Sequence, residues 1–236
     1  MRHVLAVLAL TLGAAPLLAQ AQVGHPPDKS PYRDIDRHSD IYLLTGYWSS
    51  ARDYAGVGPH SGPLLGVRYD LLLANTPLFF VARATHVFTD RTLLNPFLPT
   101  AERTTSFPSN PVPASINIAD IGLGAQLTGQ KTFHGFIPVI NIGAGAVSDL
   151  GGSGGPGHYH LGTQPAATWG GGLRWVPGGR LTLRADASVY LYPHRYPSTY
   201  KTITGDGTSV IPPSHSLVAW RNNGAFTFGA WYAFFR

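Results

Sequence analysis

Cysteine is absent from all 236 residues, so disulfide frameworks, thiolate metal sites and cysteine nucleophiles are excluded together. Charge is scarce: Asp, Glu, Lys and Arg make up 12% of the chain, against ~25% in ordinary soluble proteins. The formal net charge is only +5, and Lys and Arg form no run or stripe, which argues against a nucleic-acid partner. Beyond the first residues no stretch approaches 18 consecutive apolar positions, so a membrane-spanning helix is not expected. What remains is a chain with an ordinary apolar share of 44%, enough for a folded core, punctuated by 28 Gly and 20 Pro.

The N-terminus reads as an address rather than as part of the fold. Met1-Arg2-His3 is a short basic start, the stretch from Val4 to Leu18 is almost wholly apolar, and Ala19-Gln20-Ala21 is a small-x-small cleavage pattern. This predicts a secretory signal peptide over residues 1–21, cleaved before Gln22. Residues 22–38 carry Pro26, Pro27 and Pro31 beside Asp28, Lys29, Arg33, Asp34, Asp36 and Arg37, and are expected to be an irregular periplasmic lead-in. Residues 39–236 are expected to form a single domain.

In that domain the recurring pattern is period two, rich in Val, Ile, Phe, Tyr and Trp and broken by Gly, Pro, Asn and Asp. Eight strands are predicted, near 40–49, 64–73, 78–89, 116–128, 133–148, 166–176, 180–192 and 218–235. Connections after the first, third, fifth and seventh are long. Those after the second, fourth and sixth are short: Ala74 to Pro77, Gly129 to Thr132 and Pro177 to Gly179. Antiparallel neighbours would collect the long loops at one end and the tight turns at the other, the layout of membrane barrels with short periplasmic turns. The expected fold is all-β, an eight-stranded antiparallel up-and-down transmembrane β-barrel.

Alternation does not itself say which face is outside, so the placement of charge decides. Along 180–192 one face is Leu181, Leu183, Ala185, Ala187, Val189 and Leu191, and the other holds Arg184, Asp186, Ser188 and Tyr190. The same parity puts Asp40, Arg68, Asp70, Arg83, Asp120 and Arg174 on the second face. Four Arg and four Asp among Gly, Thr, Gln and Asn are too few for a water-facing surface, but suit a crowded lumen in which buried ions are paired. The aliphatic face carries aromatics toward both ends. Tyr69, Phe80, Phe136, Trp175, Tyr232 and Phe234 lie toward the tight turns, and Tyr47, Phe88, Trp169 and Trp220 toward the long loops. Two aromatic girdles at headgroup depth are expected.

The last strand holds Thr227-Phe228-Gly229-Ala230-Trp231-Tyr232-Ala233-Phe234, in which Thr227, Gly229, Tyr232 and Phe234 fit a polar-x-Gly-x-x-aromatic-x-aromatic pattern. The segment resembles the insertion signal of bacterial outer-membrane barrels, except that the chain ends in Arg236 rather than Phe. With the loop layout, the whole domain resembles the small eight-stranded outer-membrane barrel family (the OmpA/OmpX/OmpW-like group). That resemblance implies residence in the Gram-negative outer membrane, contact with its lipid and lipopolysaccharide, and recognition by the barrel assembly machinery.

Reactive groups are few. Gly151-Gly152-Ser153-Gly154-Gly155 satisfies G-x-S-x-G formally, but lies in a Gly-rich loop with no helix to follow. His158 and His160 are a weak metal pair with no third ligand in the local sequence. His38-Ser39-Asp40 and Ser214-His215-Ser216 place imidazole beside hydroxyl only in sequence, where neighbouring strand residues face opposite ways. No catalytic residue and no cofactor is expected. The expected role is a non-enzymatic barrel with a filled polar lumen and four long external loops, serving structure or a surface partner. The loop from Asp90 to Ser115, with Leu93, Leu94, Phe97 and Leu98, is expected to pack over the barrel mouth. Three competing readings fit the same residues: a narrow conduit for small apolar molecules, a lipid-modifying outer-membrane hydrolase, and a soluble periplasmic lipocalin-like binder.

Overall fold

The computed structural model describes residues 30–35, 39–149, 159–178 and 180–232. The predicted signal peptide, His38, the Gly151–Gly155 motif, His158 and Phe234 lie outside the described residues. Among the described residues ten strands run in chain order: β1 Tyr32–Asp34, β2 Ser39–Ser49, β3 Gly62–Leu72, β4 Leu78–Arg91, β5 Val112–Gln126, β6 Lys131–Phe133, β7 Phe136–Ser148, β8 Thr163–Gly178, β9 Leu181–Arg195 and β10 Val218–Tyr232. The long ones pair in the order β7-β5-β4-β3-β2-β10-β9-β8, and β8 pairs back to β7. Every pairing is antiparallel, so the sheet closes into an eight-stranded up-and-down barrel. Closure leaves no edge along most of the wall.

Two expectations are corrected. The lead-in is not wholly irregular: β1 pairs with β6, Tyr32 opposite Phe133 and Asp34 opposite Lys131. Tyr32 packs on the Phe133 ring at 5.4 Å, and Ile35 reaches the apolar cluster around Phe79 and Ile137. Three residues of alternation among charges are too short to stand out in sequence. Likewise the fourth connection is not a simple turn at Gly129–Thr132, because the segment 127–135 holds β6. His134 and Gly135, at φ 50° and 83°, turn β6 into β7. Two left-handed residues in succession are what a tight hairpin of matching twist needs.

The strands also run further toward the long loops than the prolines suggest. Pro113, Pro165 and Pro193 lie inside β5, β8 and β9. Each sits where one neighbouring strand has stopped: β5 meets β7 only from Asn117, and β8 and β9 meet only as far as Ala167 and Leu191. A residue without an N–H is tolerated on that open side.

Candidate functional site

Facing follows the pleat around the barrel. Leu43, Val67, Ile121, Leu123, Ile140, Ile142, Phe226 and Phe228 are exposed on the outer face, while Asp40, Arg68, Asp70, Arg83, Asp120, Arg174, Arg184 and Asp186 are all buried inside. Of the girdle positions, Tyr47, Tyr69, Phe88, Phe136, Trp169, Trp175, Trp220 and Tyr232 are exposed and Phe80 is half-buried, all on the outer face. Phe136 and Trp175 stack there at 5.9 Å. In the last strand Tyr232 faces outward, whereas Thr227 and Gly229 face the lumen. At Gly229 an added Cβ would lie 2.9 Å from Leu44 Cδ2.

The lumen is stratified. Nearest the tight turns, Phe79, Val81, Ile137 and Val139 form an apolar layer. Phe79 fits because Gly124 opposes it: a Cβ there would meet the ring at 2.2 Å. The ionic layer is next. Arg184 donates to Asp70 through Nη1 and to Asp186 through Nε, each at 2.5 Å, and Arg68 donates to Asp70 at 2.7 Å and lies 3.9 Å from Asp186. These four groups alternate in sign and tie β3 to β9 across the hollow. Arg174 of β8 pairs with Asp40 of β2, which also accepts from Tyr42 OH. Arg83 is fastened to Asp120 by Nε and Nη2, and its Nη1 donates to Ser188 Oγ at 2.8 Å. Rings cover the cations, Phe79 and Tyr42 over Arg184 and Tyr190 over Arg83, at 5.5–5.9 Å. Pairing is obligatory here, because a lone buried ion costs several kcal/mol.

Toward the long loops the interior is mainly aromatic and aliphatic, with His194 and Asn223 buried beside the rings, a correction to the expected polar lumen. Trp48, Tyr190 and Tyr192 pack with Leu64, Val87, Ile116 and Ile118, and loop residues Val57, Leu94, Tyr159, Leu161, Tyr200 and Ile211 complete the cluster. Sequence reading treated His158-Tyr159-His160 as a loop metal candidate. Tyr159 is instead buried, bonded through its hydroxyl to His194 Nδ1 at 3.1 Å, and His160 lies 3.9 Å from Asp149. No cluster of three or more metal-ligating side chains occurs among the described residues. Signals for this layer were present as inward parity at Trp48, Tyr190 and Tyr192. The contribution of the loops carried none.

The loops above it are tied together. Asp53 accepts the Tyr196 hydroxyl at 3.0 Å and the amides of Val57 and Gly58. Arg103, buried in the loop 92–111, donates to Thr204 Oγ1 and to Thr208 O and Oγ1 of the loop 196–217. Asp206 accepts the Thr100 amide at 2.9 Å and hydrogen bonds from Thr204 and Thr208. These bonds hold its carboxyl well below the usual carboxylate range. Of the apolar group in the second long loop, Leu94 is buried and Phe97 is exposed.

The architecture defines a class: an eight-stranded antiparallel barrel with aliphatic side chains outward and ions within, the reverse of a soluble ligand-binding barrel. No family model matches the chain, and no curated protein matches it in sequence. Among solved structures it is similar to the Neisserial surface protein NspA (13% identity, 87% of this chain and 98% of that one, TM-score 0.44). It is also similar to a major outer membrane protein from Thermus thermophilus (11%, 83% and 99%, TM-score 0.40). A third is Ail, the attachment invasion locus protein of Yersinia pestis, in complex with the heparin analogue sucrose octasulfate (11%, 83% and 99%, TM-score 0.37).

Proposed function

We propose that the chain is an integral outer-membrane barrel without enzymatic activity, its lumen plugged and its four-loop cap held at the cell surface. One observation carries this reading: the outer face is a belt of exposed Leu, Ile, Val and Phe around a closed wall whose Asp40, Arg68, Asp70, Arg83, Asp120, Arg174, Arg184 and Asp186 are buried inside. A soluble monomer rarely exposes a contiguous apolar patch larger than a few hundred Å². Hydrocarbon solvates such a belt, and aromatic side chains toward both ends suit its two interfaces. Export through a cleaved signal peptide, and recognition of the last strand by the assembly machinery, belong to the same reading.

The plug weighs against the conduit: the void between Asp40, Asp70, Arg174 and Arg184 is about 10 Å³, close to the least volume that holds one water. For the hydrolase, His86 is bonded to Asn117 on the outer face, and no bond joins a Ser hydroxyl to it among the described residues. The test is cell fractionation with heat-modifiable gel migration. The protein is expected in the membrane fraction, resistant to alkaline extraction, and to run faster unheated than heated. Release by osmotic shock without detergent would refute the assignment.

A further inference from the structure

Among the described residues the pairing of the wall stops short near the loop end between β8 and β9 and also between β5 and β7. β5 extends from Val112, but its pairing with β7 begins only at Asn117 opposite Ser148, so among the described residues 112–116 have a strand partner on the β4 side alone. Beside this stretch lies a recess of about 430 Å³. Its lining comes from both faces of the wall: His86 and Phe88 belong to the outer face, whereas Ile116, Tyr159 and Leu161 belong to the buried interior cluster.

We propose that this recess binds an amphiphile with a single hydrocarbon chain and an anionic headgroup, its chain against Phe88, Pro113 and Ala114 and its headgroup at Arg91. The inference rests on the membrane reading above. It goes beyond it by giving the barrel a ligand. The outer-face side of the lining lies at Phe88, in the upper aromatic ring, so an amphiphile reaches it from the lipid. The volume falls at the lower end of the 300–1,000 Å³ usual for small-molecule sites, room for one chain rather than two. Charge selects the headgroup. Arg91 is half-buried and its Nη1 donates to the Tyr159 carbonyl at 3.1 Å, which fixes the side chain and leaves further N–H donors on its guanidinium. Asp149 also lines the recess, but its carboxylate accepts the Leu161 amide at 3.0 Å and lies near His160, while Asp90 is paired with His60, so Arg91 is the cation left to meet a headgroup. The ionic layer closes the lumen below, so the recess is a blind site and not a passage.

Spin-labelled stearic acid tests this with the whole barrel in phosphatidylcholine bilayers, at a pH that keeps the carboxylate ionised. A motionally restricted component is expected, displaced by unlabelled palmitate. Arg91→Gln is expected to weaken binding about tenfold, the loss of one charge-assisted contact. Ala114→Trp, which puts a large side chain on the lining, is expected to abolish it. An identical restricted fraction in wild type and both variants would mean ordinary boundary lipid and overturn the site. Lysophosphatidylcholine competing as well as palmitate would overturn the anionic headgroup. Insertion of each variant is scored separately by heat-modifiable migration, so a barrel that inserts and does not bind refutes the recess alone.

Discussion

Arg184 and Asp186 show how much depends on single side chains in this lumen. Asp186 accepts from Arg184 and stands near Arg68, so Asp186→Leu would strand positive charge among buried rings. Removing one partner of a buried pair costs about 3–5 kcal/mol, and the urea midpoint of the variant in lipid vesicles should fall accordingly. The double variant Arg184→Met with Asp186→Leu should recover most of that loss, because Asp70 keeps Arg68. A double variant no better than the single would mean that the network is not held by charge balance. Gly124→Ala tests shape rather than charge. The new methyl meets the Phe79 ring, and overpacking of this kind costs about 1–3 kcal/mol.

At the scale of the strand, period two decides what faces outward and what faces the hollow. Leu43 lies in the middle of β2, outward and 70% exposed, and Ile203 is 63% exposed in the loop 196–217. If the belt is in hydrocarbon, Leu43→Arg costs about 2–4 kcal/mol by vesicle unfolding, as for a cation near the bilayer midplane. Ile203→Arg should cost almost nothing. Equal effects would remove the membrane from the account. The same periodicity explains what could be read from the sequence. Parity from Arg184 and Asp186 carries to Arg68 and Asp120 because a strand has two faces and one register. Parity ends where strands end. Tyr159 and Leu161 enter the core from a loop whose sequence shows no alternation, so their burial and the recess beside them were not legible. β1 was hidden for a related reason: its partner is a three-residue strand that straddles the end of a predicted turn.

For the molecule as a whole, closure comes from two separate devices, and pH and conductance address them one at a time. The loop cap is joined through Asp206, whose folded carboxyl is held low by Thr204, Thr208 and the Thr100 amide. A depressed value means that this contribution is fully present above the unfolded carboxylate value of about 3.9 and is lost as pH falls through the lower folded one. Protection of the Thr100 amide, its exchange relative to an unstructured amide at the same pH, should therefore hold through mildly acidic pH and fall only in stronger acid. Asp206→Asn should lower that protection and remove its change across the acid range. The seal itself lies deeper. Aromatic packing, crossed ion pairs and the Phe79 layer succeed one another along the axis, with a void of only about 10 Å³ between Asp40, Asp70, Arg174 and Arg184. Wild-type protein in planar bilayers is expected to give no ohmic steps. Replacing the loop 92–111 with a short Gly-Ser link should leave it silent, because the barrier is formed by strand side chains below the cap. Steady conductance from the wild type would show a water-filled lumen, and conductance only after loop replacement would move the barrier from the strands to the cap.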